Sequence, residues 1–279
     1  MIFNHEIGVM QGRLLPKYQG RYQAHPVGYW EEEFFLANKF GLSCIEFILD
    51  FNLYLENPLM SSKGTDMILK CVHENDIYVK SVCADYFMHH TFHDIDLDIV
   101  KKCKNVMSTL IKNCKVLDVT DIVVPCVDSS AFKNNNDIKR FITNIQSSLD
   151  LAEQKNINIS LETDLNPALF SQLLSEIPSK RLTVNYDTGN SASLGYNVIE
   201  EFDSYGDRIS DIHIKDRKLN GGSVELGKGD VDFNSFFKCL QKIDYKHPFI
   251  MQAYRDDEGL KVFESQLNYF KSFIKNNSN

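Results

Sequence analysis

The chain has 279 residues, 43% hydrophobic and 24% charged, with a formal net charge of −8. That composition describes a globular protein able to bury a sizeable core, at a length that suits one α/β barrel. No basic block supplies the electrostatic footprint of phosphate-backbone binding, so nucleic acid is disfavoured, and no apolar run approaches the ~20 residues of a membrane helix.

In chain order, short apolar runs alternate with longer amphipathic stretches. The strand candidates are Ile7–Met10, Cys44–Phe47, Tyr78–Cys83, Ile122–Cys126, Ile157–Leu161, Leu182–Tyr186, Ile209–Ile214 and Phe249–Gln252. Helix candidates lie between them near Trp30–Lys39, Met60–Glu74, Ile95–Lys115, Asp137–Gln154, Pro167–Glu176, Val198–Tyr205 and Phe233–Lys242, with a last one at Leu260–Lys275. Eight βα units is the count of a single-domain (β/α)8 barrel, a TIM barrel. The competing doubly wound sheet carries a glycine-rich phosphate loop after its first strand; here that place holds Gln11-Gly12-Arg13-Leu14-Leu15-Pro16, so the barrel is preferred.

Boundaries carry their own chemistry. Asn166-Pro167 reads as an N-cap with proline at the first helical position, Asp232 as a second cap, and Gly41 as a helix stop. Residues 275–279 read as a frayed polar tail. The seven cysteines are odd in number and scattered without a C-x-x-C pair, which suits reduced core thiols. The first residues, Met1 to Glu6, lack the pattern of a signal peptide, so a cytoplasmic location is expected.

Four of the later strands end in polar groups: Glu162, Asp187, His213 and Gln252. The spacing fits successive βα units, so in a barrel the four converge on the C-terminal mouth, where this fold places its active sites. Two carboxylates, an imidazole and an amide oxygen suit one divalent ion, Mn²⁺, Zn²⁺ or Mg²⁺. Taken singly, each has a plain alternative as a cap, a loop ion pair or a hydrogen-bonded core residue. Four together at corresponding strand ends are harder to explain that way.

Leu161-Glu162-Thr163, Asn185-Tyr186-Asp187-Thr188-Gly189-Asn190, Ile212-His213-Ile214-Lys215-Asp216-Arg217 and the Leu226–Phe233 loop resemble the sugar phosphate isomerase/epimerase family, within the xylose isomerase-like TIM barrels. The resemblance is densest from Glu162 to Arg255. It implies Glu162, Asp187 and His213 as metal ligands, with the fourth ligand at Gln252. Ketose 3-epimerases of that superfamily carry glutamate at the fourth position, where it doubles as an acid/base. An amide offers an oxygen to a metal but cannot shuttle a proton at neutral pH. Glu162 alone therefore supports aldose–ketose isomerisation, whereas epimerisation needs a second base, for which Asp85, Glu46 and Lys215 are the candidates.

Arg217, Lys228, Arg255, Glu46, His89 and Asn190 are the substrate-side candidates. The Gly227-Lys228-Gly229 turn offers backbone N–H groups to an anion, with a plain turn as the favoured alternative. The leading expectation is a metal-dependent isomerase/epimerase acting on a small sugar or sugar phosphate through an enediolate. A polyol or keto-sugar dehydratase and a non-catalytic carbohydrate-binding relative are the alternatives. An apurinic-site endonuclease is disfavoured by the acidic balance and the single strand-end histidine. A homodimer is a candidate assembly that no stretch identifies.

Overall fold

A computed structural model describes residues 5–257 and 259–277. Eight parallel strands close a barrel: β1 (Ile7–Met10), β2 (Cys44–Ile48), β3 (Tyr78–Cys83), β4 (Asp121–Cys126), β5 (Asn158–Thr163), β6 (Leu182–Asp187), β7 (Ile209–Ile214) and β8 (Phe249–Met251), with β8 returning to pair with β1. The helices are α1 (Glu32–Lys39), α2 (Ser62–Asn75), α3 (Leu97–Val116), α4 (Asn135–Lys155), α5 (Pro167–Glu176), α6 (Thr188–Leu194), α7 (Val198–Tyr205), α8 (Phe233–Ile243) and α9 (Leu260–Asn277). This is the (β/α)8 barrel expected from the alternation of runs.

The strand alternation sorts two environments. Ile159, Leu161, Leu182, Val184, Ile212 and Ile214 face outward and join the main core beneath the helices. Each such side chain contributes about 1.5–3 kcal/mol by leaving water. The inward positions are polar: Ser210 on β7 reaches across the lumen to Asp121 on β4, 2.5 Å away, and also bonds Thr183 on β6. A small apolar plug of Met10, Cys44, Ile48, Cys83, Val123 and Ile250 shares the lumen. Gly8 lines it because a Cβ there would overlap Cys44 and Ile250.

Asn166 accepts from Leu169 N–H and Asp232 from Ser235 N–H, so both predicted caps are present, and Gly41 takes the left-handed conformation past α1. Among the elements outside the expected set are α6, which follows β6 with no loop between, and a hairpin of Asp216–Arg217 with Ser223–Val224 after β7. α9 continues through Asn277, beyond the expected start of fraying at Lys275; Ser278 and Asn279 lie outside the described residues, as do Met1 to Asn4 of the stretch read for a leader. All seven cysteines are free thiols and buried. Among the described residues no helix is long and apolar enough to cross a membrane.

Candidate metal centre at the barrel mouth

Asp187 is the last residue of β6 and the N-cap of α6. Its Oδ1 accepts from the N–H groups of Gly189 and Asn190, each at 2.9 Å, and this commits one oxygen to nucleating the helix. Its Oδ2 is left with the Lys215 ammonium at 2.7 Å and no hydrogen bond of acceptable angle. The divided role explains why Thr-Gly-Asn follows the aspartate directly: Gly189 packs against Lys215 and Arg217 where a larger side chain would collide.

His213 is fully buried and two-sided. Its Nε2 lies 2.7 Å from Glu46 Oε1 on β2, across the lumen, and 3.5 Å from Asp211 Oδ2. Its Nδ1 faces the mouth, 3.9 Å from Asp187 Oδ2, and has no hydrogen-bond partner. Ligand atoms of Glu162, Asp187 and His213 all lie within 4.8 Å of one another. At the end of β8, Gln252 donates its amide N–H to Gln23 Oε1 at 3.0 Å, and its buried Oε1 has no donor. Buried polar atoms are almost always hydrogen-bonded. Here two bare acceptors, His213 Nδ1 and Gln252 Oε1, sit at one rim with Asp187 Oδ2, whose one partner is the Lys215 ammonium, and the three match the donor set of a divalent cation.

Glu162 on β5 is 7% exposed, and its Oε1 accepts from Asn190 Nδ2 at 2.6 Å. Burial, reinforced by the charge of Asp187, pushes its carboxyl up to about 7. Arg217 donates to Asn190 Oδ1 at 2.8 Å, so arginine, amide and glutamate form one line along the rim.

The loop after β1, which carried no periodic signal in the sequence, closes the opposite rim. Gln23 Oε1 accepts from both Gln252 and Arg13, and Gln23 Nε2 donates to Asp85 Oδ2 at 3.3 Å. Burial holds the Asp85 carboxyl above its ordinary value, and Cys83 Sγ lies 3.2 Å from its Oδ1. Burial also lowers the Arg13 guanidinium to about 10, against the pull of Asp85, Glu33 and Asp187; its Nε is buried without a partner. Arg13 and Gln23 were absent from the sequence candidates. The signal available for Arg13 was its place just past the C-terminal end of β1.

Four expected substrate residues have other partners in the structure. Glu46 is fully buried beneath His213, with Ser81 Oγ donating to its Oε2 at 2.5 Å, and burial pushes its carboxyl up to about 8; it lies in the lumen and has no exposed face at the mouth. Lys228 is at the surface, paired with Glu225. The N–H groups of Gly227, Gly229 and Val231 all go to the Asp216 carboxylate, so the anion held by this turn is the chain's own. Arg255 lies over the Tyr22 ring and ties Arg13 O to Asp256 O and Gly259 O, where it serves loop closure. His89 packs on Phe51 at 4.7 Å and lines a cleft of about 540 Å³ with His93, Lys133 and Arg140.

Residues 34–273 match a family model described as a xylose isomerase-like TIM barrel. A protein of Haemophilus influenzae, named "Putative L-ribulose-5-phosphate 3-epimerase SgbU", is 26% identical over 249 residues, which cover 84% of this chain and 87% of that protein. The solved 3-keto-D-glucoside 4-epimerase YcjR from E. coli has a TM-score of 0.75 at 14% identity, over 96% of this chain and 100% of that one. IolI, solved with a zinc atom, has a TM-score of 0.74 at 15% identity, over 98% of each chain. At such identities the two structures bear on the fold alone.

Proposed function

The chain belongs to the xylose isomerase-like TIM barrel family, and from that premise we propose a divalent-metal-dependent epimerase or isomerase of a sugar or sugar phosphate, working through an enediolate. The single observation that carries the reading is the rim where His213 Nδ1 and Gln252 Oε1 lack any donor and Asp187 Oδ2 meets only the Lys215 ammonium, beside the Glu162 carboxyl. The epimerase name of the relative supports it.

Glu162, Asp187, His213 and Gln252 would hold the ion, and Mn²⁺, Zn²⁺ and Mg²⁺ all accept this mixed oxygen and nitrogen set. When bound, such an ion polarises adjacent substrate oxygens and stabilises negative charge developing on them. Glu162 removes the proton from the hydroxyl-bearing carbon beside the carbonyl, leaving the enediolate. A carboxyl raised to about 7 suits a group that must both take a proton and give it back near neutral pH. Asn190 fixes one oxygen of Glu162 and is itself fixed by Arg217, so the pair aims the base.

Inversion of the carbon requires a proton from the opposite face, which the Gln252 amide cannot supply. Asp85, half-buried on the far side of Gln23 with a raised pKa, is the group assigned to that step. Arg13, with a buried Nε–H lacking a partner, binds a substrate oxygen or phosphate. Lys215 neutralises Asp187 in the absence of a cation.

The test is solvent deuterium exchange followed by NMR, with added Mn²⁺ or Mg²⁺ and a panel of pentose and hexose ketoses and their phosphates. The expected result is metal-dependent exchange at the carbon beside the carbonyl that falls about 10³-fold or more in Glu162→Gln. Absence of exchange with every panel member, despite proven metal binding, would sink the proposal.

A further inference from the structure

Beneath the mouth lies a second acidic group that the reaction does not use. Glu46, Asp211 and His213 form a cluster as compact as the one above it, and all three are buried. Its hydrogen bonding is of another kind. Ser81 Oγ donates to Glu46 Oε2 at 2.5 Å, and Asn185 Nδ2 donates to Asp211 Oδ2 at 2.7 Å. Neither carboxyl has an oxygen among the buried atoms left without a partner. Both carboxyls are thus already engaged by the protein's own donors.

We propose that Glu46 is the positioning residue for His213: it accepts the imidazole Nε2–H and thereby fixes the tautomer whose bare Nδ1 faces the mouth. This rests on the metal reading given above. The geometry decides between tautomers. A hydrogen on Nδ1 would be a buried donor with nothing to donate to, since Asp187 Oδ2 is 3.9 Å away, whereas a hydrogen on Nε2 has Glu46 Oε1 at 2.7 Å. Metal-bound histidines commonly hand their other N–H to a carboxylate, which fixes ring orientation and raises ligand basicity. Two groups converge on Glu46, the Ser81 hydroxyl and the His213 ring, and the serine, on the neighbouring strand β3, stops its carboxyl from swinging away. Ser81 on β3 is thus a support for Glu46 and, through it, for the ring.

The test uses the full chain labelled with ¹⁵N-histidine and stripped of metal. Long-range ¹H–¹⁵N correlations report which imidazole nitrogen carries the hydrogen, and His213→Asn identifies the His213 signal among the eight histidines. Wild-type protein is expected to show His213 protonated on Nε2 alone. Glu46→Leu is expected to lose that single tautomer and to weaken Zn²⁺ or Mn²⁺ binding by roughly 10–100-fold in calorimetry. Glu46→Gln, which keeps an oxygen acceptor, is expected to retain the tautomer with a smaller loss.

Ser81→Ala keeps the glutamate and guards against a Glu46→Leu chain that does not fold. It is expected to broaden or split the His213 signals and to weaken metal binding less than Glu46→Leu. A His213 protonated on Nδ1 in wild-type protein overturns the proposal. So does a metal affinity unchanged in both Glu46→Leu and Ser81→Ala. A wild-type protein with the expected tautomer that binds neither ion instead overturns the metal reading, which the metal-free spectrum keeps separate.

Discussion

The two faces of His213 carry the same residue types to opposite ends. Toward the lumen, Glu46 accepts from Ser81 and Asp211 from Asn185; toward the mouth, Gln252 Oε1 and the ring Nδ1 have no donor and Asp187 Oδ2 meets only the Lys215 ammonium. Acid content alone therefore does not mark a receptor for a cation. The mark is acceptors left bare where burial makes bareness costly. The sharpest way to break the comparison is to remove one charge from each face. Asp187→Asn keeps the helix cap but removes a charged ligand, so its metal affinity should fall by more than the ~10–100-fold typical of losing an outer partner. Asp211→Asn should stay at or below the low end of that range. Isothermal titration with Mn²⁺ checks both, and equal losses would erase the distinction between the faces.

Across the mouth the contrast is between two carboxyls. Glu162 sits among the bare acceptors, while Asp85 is reached through Gln23 from the far rim. If they serve opposite faces of the substrate, Asp85→Asn should cut epimer formation by about 10²–10⁴-fold and leave metal-dependent deuterium exchange largely in place. Following product and exchange in one NMR sample separates the two. Loss of both together would assign Asp85 to binding or folding.

The carboxyls on both faces also set the pH response. Burial raises Glu162 to about 7 and Glu46 to about 8, from an ordinary 4.5. For an acid raised in this way the folded chain holds the proton more tightly than the unfolded chain. The associated stability is complete below about pH 4.5 and is lost as pH climbs through 7 and then 8. The metal-free protein should accordingly melt at a lower temperature at pH 8 than at pH 5. Glu162→Gln should remove the part of the decline that runs from about 4.5 up to about 7. A saturating divalent ion favours the ionised glutamate, so its stabilisation should grow with pH over the same interval. Melting curves at several pH values with and without Mn²⁺ read all three, and a metal gain that shrinks with pH would contradict the placement of Glu162.

The barrel was legible because strand and helix periods differ and alternate eight times; β1, β3 and β7 begin and end where the apolar runs do. The mouth was legible only where a strand delivers its side chain to the rim, as at Asp187. Glu46 looks alike in sequence, but β2 runs two residues past it to Ile48, and its register opposite Met10 sets it below the rim. Helix α6 was hidden because seven residues are too few to show a helical period, and Thr-Gly-Asn reads as a turn until the Asp187 carboxylate is seen bonding its N–H groups. Arg13 and Gln23 lie in an aperiodic loop, where only the fold shows what each touches.

The smallest expected effect separates the two charges of the loop after β7. The sequence offered Lys228 and its glycine turn as an anion site, and the structure fills that turn from within. Asp216 accepts three backbone N–H groups, and a Cβ at Gly229 would strike its carboxylate, which makes the glycine and the aspartate one unit. Hydrogen bonds to a charged acceptor are worth about 1.5–3 kcal/mol each at most, and partial solvation of the loop reduces that. Asp216→Ala should therefore cost roughly 2–4 kcal/mol in denaturant unfolding. Lys228→Ala breaks only a surface pair with Glu225, which should change stability by less than about 1 kcal/mol. It should also leave the KM for a phosphorylated ketose unchanged, because the lysine faces solvent while the N–H groups beside it are already bound. A severalfold rise in that KM would return Lys228 to the substrate and require the loop to fold over the mouth during turnover.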